Sequence, residues 1–115
     1  MNLPENAYLL RIFIGENDKA EGRPLYQLLV EKAREYGMAG ATVLRGFLGF
    51  GGSSRVHTAK ILRLSEDLPM VVEIVDTEEK IQGFLPLLDE LITEGLVTLE
   101  KAKVITYRMR DETGE

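Results

Sequence analysis

Met70-Val71-Val72-Glu73-Ile74-Val75, with Asp76-Thr77-Glu78-Glu79 directly behind it, passes within ten residues from one periodicity to another. The first six positions are apolar at all but Glu73 and read as a strand with almost no polar face. Behind them Ile81, Phe84, Leu85, Leu88, Leu91 and Ile92 recur at helical spacing and form one apolar stripe. Asp76 is the expected N-cap of that helix, with Glu79 three residues on as its capping-box partner. Pro86 lies inside the stripe and is expected to kink or weaken the helix.

The same strand-then-helix pattern precedes this stretch. Ala7 to Gly15 alternates Leu10, Ile12 and Ile14 with Leu9, Arg11 and Phe13, as a strand does. A breaker-rich stretch, Glu16 to Gly22, leads to Pro24, which suits the first turn of a helix. Leu25, Leu28, Leu29, Ala33 and Tyr36 give that helix its apolar face, and Gly37 and Gly40 end it. Ala41 to Phe50 reads as a second strand. Gly51 to Leu68 is a long connection whose later part, Thr58 to Leu64, has strand character. Glu94-Gly95 is a turn, Leu96 to Arg110 a final strand, and Asp111 to Glu115 a polar tail.

The order is β-α-β-β-α-β over a single domain, residues 1–115. That is the α+β, ferredoxin-like arrangement, with two helices on one face of a four-stranded antiparallel sheet. Leu9, Phe13, Val71 and Val75 make the second face of the strands apolar as well. A monomer with one wet face would alternate more cleanly, so this face is expected to be buried in an oligomer.

Composition narrows the function. The 115 residues contain no cysteine and one histidine, so neither a disulfide, nor a thiolate nucleophile, nor a metal site of His and Cys is expected. No apolar run approaches the ~20 residues of a membrane span. Met1 to Asn6 lacks the basic start and apolar middle of a signal peptide, so a cytoplasmic location is expected. The formal net charge of −5 argues against nonspecific nucleic-acid binding. Yet Tyr36 through Ser65 carries no Asp or Glu, while it holds Arg45, Arg55, Lys60, Arg63 and His57. An anion site explains that window. A glycine-rich loop beside a buried strand, with few places for acids, explains it equally well.

Within the window, Arg45-Gly46-Phe47-Leu48-Gly49-Phe50-Gly51-Gly52-Ser53-Ser54 gathers four of the 11 glycines. Glycine lets backbone N–H groups approach a ligand and adopt nest conformations suited to phosphate. The segment has neither the Gly-Lys-Ser/Thr of a Walker loop nor a helix opening behind it. It can equally be a hairpin loop using glycine for its turns. Arg108 and Arg110 are two residues apart and are expected on one face of the last strand, where two guanidiniums fit phosphate or simply meet solvent. No nucleophile stands with a base and an orienting partner, and no enzyme is expected.

Thr42-Val43-Leu44-Arg45-Gly46-Phe47, the glycine segment behind it, His57-Thr58, Leu64-Ser65-Glu66-Asp67-Leu68-Pro69, Met70 to Val75, and the ending Val104-Ile105-Thr106-Tyr107-Arg108-Met109-Arg110 with Thr113-Gly114-Glu115 resemble the P-II nitrogen-signalling family, in particular its uncharacterised branch. The resemblance covers nearly the whole chain. It implies a homotrimer that binds an adenine nucleotide, ADP or ATP, in clefts between subunits at the base of a long loop, the T-loop, here about residues 51–68. Carried over, Gly46, Phe47, Gly51, Arg108 and Arg110 would line the site, with Gly49, Phe50 and Gly52 as further candidates. No resident cofactor is implied. The loop would be presented to a protein partner, a transporter or another regulated protein. Two positions depart from the pattern. The family's basic, glycine-rich turn before the last strand is here Thr93-Glu94-Gly95-Leu96, and no tyrosine stands between Gly51 and Leu68. The competing readings are an RNA-binding module, because Arg45 to Phe50 echoes a basic-Gly-aromatic motif, and a protein-interaction module that binds another small anion.

Overall fold

A computed structural model of the chain describes residues 6–51 and 67–110. In chain order the elements are β1 (Asn6–Gly15), β2 (Lys19–Ala20), β3 (Arg23–Pro24), α1 (Leu25–Tyr36), β4 (Thr42–Arg45), β5 (Pro69–Asp76), α2 (Glu78–Leu91) and β6 (Leu96–Lys103). The main sheet runs β4-β5-β1-β6 with every pair antiparallel, and β2 and β3 form a small separate ribbon. This is the ferredoxin-like α+β fold.

Period-two alternation in the two central strands builds the core. Leu10, Ile12 and Ile14 of β1 lie beside Ile74, Val72 and Met70 of β5. All six are buried against Leu25, Leu28, Leu29 and Ala33 of α1 and Ile81, Phe84, Leu88 and Leu91 of α2. α1 closes on Gly37, whose φ of 87° is the left-handed value glycine tolerates without cost. Lys80 Nζ from α2 donates to the carbonyls of Tyr36 and Gly37, which satisfies that helix end and ties the two helices together.

Several boundaries differ from expectation. Asp76 is not the N-cap of α2. Thr77 is, and its Oγ1 accepts from the Lys80 N–H at 3.2 Å. Asp76 ends β5, 2 % exposed, and its carboxylate accepts from the N–H groups of Ala39 and Thr77 at 2.7 Å each. Burial of a carboxylate is costly unless charged-form hydrogen bonds offset it, and these two do. Pro24 precedes α1 as its N-cap residue, and the preceding stretch forms the β2–β3 ribbon. α2 continues through Pro86, which stands on its exposed side. The second strand stops at Arg45 and not at Phe50. The last stops at Lys103, so Arg108 and Arg110 do not share a strand face. The connection expected at 51–68 lies outside the described residues except for Gly51, Asp67 and Leu68. So do Gly52, His57, the segment 58–64 and the tail 111–115.

The face of the sheet away from the helices is ordered in rows set by the register. Leu44, Val71, Phe13 and Leu96 form one apolar row across all four strands. Thr42, Glu73, Arg11 and Thr98 form the next. Val75, Leu9 and Glu100 form a third. Arg11 sits at the centre, with Nε 2.9 Å from Glu73 and a second contact to Glu100. The Glu73 hydrogen bond raises the Arg11 pKa, desolvation opposes it, and the charge of Glu100 adds to the rise. Leu44 and Leu96 are about half exposed and Phe13 about a third.

Candidate functional site

The candidate site is built where β4 ends and β5 begins. The Gly46 N–H donates to the Pro69 carbonyl at 2.6 Å, which closes the two stems of the long connection on each other. A Cβ at Gly46 would stand 2.5 Å from Pro69 Cγ, so only glycine permits this approach.

Both stems are also tied to the turn after β1. Arg45, at the start of the connection, reaches Glu16 with Nε at 3.1 Å and Nη2 at 3.2 Å, a two-pronged pair. At its end, the Asp67 Oδ1 accepts from the Asn17 N–H at 2.9 Å, and the Leu68 carbonyl accepts from the Glu16 N–H at 2.8 Å. Asp67 holds a left-handed φ of 37°, and its carboxylate packs over Gly15, where a Cβ would come within 2.4 Å of Oδ1. Asp18 Oδ2 accepts from the Gly15 N–H at 2.9 Å. One three-residue turn, Glu16 to Asp18, thus positions both ends of the segment that contains the glycines.

Beside this clamp lies a pocket of 440 Å³. Phe13, Ile14, Phe50, Pro69 and Leu96 give it apolar walls. Gly15 and Gly51 line it with backbone, and the turn before β6 closes it through Glu94 and Gly95. Gly95 has φ 151°, and a Cβ there would stand 2.9 Å from the Phe13 carbonyl. The charged side chains of the wall are Asp18, Asp67 and Glu94; no Lys or Arg is among the described lining residues.

Of the residues singled out from sequence, Phe50 and Gly51 line this pocket. Gly46 and Gly49 stand against Pro69, one of its walls. Phe47 is 81 % exposed and lines no part of it. Arg108 and Arg110 are elsewhere. Behind Lys103 the chain turns across the open sheet face, where Val104, Thr106 and Tyr107 border a second pocket of 360 Å³ with Leu9, Thr42, Glu73 and Val75. The Tyr107 hydroxyl donates to the Ala39 carbonyl at 3.3 Å. Glu73 and Pro69 are four positions apart on β5, roughly 13 Å at strand rise, so the chain ending and the glycine segment flank opposite ends of the sheet. Sequence reasoning missed Glu16, Asp18 and Asp67. Asp67 stood in the segment Leu64 to Pro69 that carries the resemblance, at the close of a long acid-free window, while Glu16 and Asp18 had only their place in the breaker-rich stretch. Among the described residues no cluster of three or more His, Cys, Asp or Glu is placed to hold a metal.

The RNA-binding echo weakens on this geometry. Sheet-borne recognition needs its aromatics on the strand face, whereas β4 ends before Phe47 and Phe50.

The fold is shared with PII-like proteins. Solved structures of the same shape include a protein of Thermus thermophilus described as PII-like signaling (TM-score 0.61, 21% identical, covering 91% of this chain and 94% of that one). They also include CPII, a nitrogen regulatory PII-like protein of Thiomonas intermedia, bound to ADP and bicarbonate (TM-score 0.55, 17% identical, 86% and 88% covered). At these identities the likeness shows the fold. The chain belongs to the DUF190 family, described as an uncharacterized ACR, whose model matches residues 7–104. A UPF0166 protein of Aquifex aeolicus is 46% identical over 99 residues, 84% of this chain and 91% of that protein. A UPF0166 protein of Methanocaldococcus jannaschii is 38% identical over 99 residues, 85% and 91% covered.

Proposed function

We propose that this chain is a regulatory protein that binds an adenine nucleotide between the subunits of a homotrimer. The connection of about residues 51–68 then signals occupancy to a protein partner, a transporter or another regulated protein. The observation that carries the reading is the division of the candidate site. The pocket at the loop stems has apolar, backbone and acidic walls, while Val104, Thr106 and Tyr107, just ahead of the arginine pair in the chain, border a second pocket towards the other end of the sheet. In this reading the nucleotide bridges two copies of the chain, its base in one subunit's pocket and its phosphates against Arg108 and Arg110 of the next. The apolar row Leu44-Val71-Phe13-Leu96 supplies a face for such packing, because exposed apolar area of this kind is driven to association. CPII structures bound to ADP, and to ADP, AMP and acetate, favour this ligand class. In this reading the protein binds and reports rather than catalyses. Among the described residues no helix is long and apolar enough to cross a membrane, and the partner is reached from solution.

Occupancy acts by differential affinity. A ligand that packs against Phe50, Gly51 and Asp67 favours one arrangement of the stems, and a partner that prefers that arrangement binds better. Calorimetric titration with adenine nucleotides, with mass measured by light scattering in the same buffer, tests the reading. Saturable binding at one site per subunit of a trimer, lost in the Arg108→Ala/Arg110→Ala variant, supports it. A trimer that binds none of them, or unchanged affinity in that variant, overturns it.

A further inference from the structure

We propose that the groove between α2 and β6 docks an extended peptide of another protein, which adds to the free edge of β6 as a further strand. One half of that peptide is apolar at alternate positions and the other half is acidic. The site lies apart from the nucleotide reading and does not depend on it.

Among the described residues β6 pairs with β1 alone, so its outer edge presents backbone N–H and C=O groups that no ladder takes up. Sheet edges are commonly blunted by shortness, by proline or by a bulge. The opposite edge, β4, is four residues long. β6 has eight, in unbroken register with β1 and without proline. The helices also leave it uncovered. Val97 and Leu99 face the core side, paired with Ile12 and Leu10. Those two partners are fully buried, yet Val97 is 40 % exposed and Leu99 39 %. Between Val97 and α2 runs a groove of 310 Å³ with Leu85, Leu88 and Ile92 in its wall. A free edge beside an apolar groove suits strand addition, in which the ladder gives affinity and alternate side chains enter the groove.

Charge along β6 selects the peptide. Lys101 and Lys103 continue the side of the strand that carries Val97 and Leu99, and Lys101 stands roughly 13 Å beyond Val97 at strand rise. Both border a hollow at the head of α2 with Asn6, Tyr8 and Glu78, where lysines outnumber the single acid. Asp89 stands at the apolar end. Acidic side chains are thus drawn to one end of the groove and repelled from the other, which fixes how the peptide lies. The row Leu44-Val71-Phe13-Leu96 is on the opposite face of the sheet, so the two surfaces are distinct.

The test is fluorescence anisotropy of the intact protein with a labelled synthetic peptide, Glu-Thr-Glu-Thr-Val-Thr-Val-Thr, capped at both ends. Its order suits an antiparallel ladder, the slightly more stable kind. Saturable binding is expected. Proline at two successive central positions should abolish it, since one of the two must supply a ladder N–H. Val97→Asp should weaken binding at least tenfold. Lys101→Glu, at an exposed side chain, should weaken it about fivefold at low salt, and lysine in place of the peptide's glutamates should recover that loss. Circular dichroism checks the fold of both variants. No saturation at about 1 mM peptide, full binding of the proline peptide, or affinity unmoved by both variants overturns the proposal. So does a wild type that ignores the peptide while Val97→Asp lowers the mass seen by light scattering, which would assign the groove to a second copy of the chain.

Discussion

Single residues carry constraints that composition hides. Asp76 is a buried carboxylate whose two backbone partners belong to different segments, Ala39 ahead of β4 and Thr77 at the head of α2. Asp76→Ala leaves both N–H groups without their acceptor, and a loss of about 2–4 kcal/mol is expected from such an orphaned pair; urea denaturation measures it. Gly95→Ala adds a Cβ against the Phe13 carbonyl at a backbone angle that side chains disfavour, and should cost about 2 kcal/mol. At Asp67, also left-handed, the side chain offsets part of the conformational cost through Asn17. Asp67→Ala should therefore destabilise by about 1–2 kcal/mol, while Asp67→Gly recovers most of that by relieving the angle. At this scale the glycine cluster was legible in the sequence and its purpose was not. That Gly46 exists to let a backbone pass Pro69 depends on a contact between segments far apart in the chain, which no local pattern encodes.

At the scale of elements, periodicity was the reliable guide. β1, α1, β5 and α2 follow their apolar repeats, because each buries one face in the shared core. The failures lie where a strand-like composition lacks a neighbour to pair with. Gly46 to Phe50, with its Phe and Leu, and Val104 to Arg110, with Val, Ile, Thr and Tyr, have strand-like composition, yet both lie outside the sheet. The cap of α2 moved by one residue because Asp76 had a stronger claim on its carboxylate inside the fold. Thr77→Ala should cost about 1 kcal/mol, as capping losses do. Pro86 illustrates a local rule overridden by packing, since Ile81, Phe84, Leu88 and Leu91 on its two sides are all buried. Pro86→Ala restores a helix hydrogen bond at an exposed position and should stabilise by about 1–3 kcal/mol, read as a higher Tm.

The whole molecule turns on its second sheet face. The doubly apolar central strands announced that face in the sequence, and the structure arranges it as rows, with an ionic cluster at Arg11 between apolar bands. Phe13 lies at the centre of the exposed row and also borders the candidate pocket. Phe13→Asp should therefore lower the mass seen by light scattering to that of a monomer and weaken nucleotide binding together, if assembly and site are one structure. Loss of assembly with unchanged binding would separate them. That Arg108 and Arg110 leave the sheet was not legible, because they follow the last strand and the course of the chain behind Lys103 is set by contacts such as Tyr107 to Ala39.

The strand order has a further consequence for how the protein is made. β1 emerges first from the ribosome, yet both of its neighbours, β5 and β6, lie roughly 60 and 90 positions downstream. This apolar strand must wait until β5 has been synthesised before its first edge is covered, and until β6 before its second. Pairings of such long sequence separation close slowly, and a waiting strand of this kind invites pairing with other nascent chains. Among the described elements the ribbon β2–β3 and helix α1 follow β1 most closely in sequence, and shielding β1 until the sheet closes falls first to them.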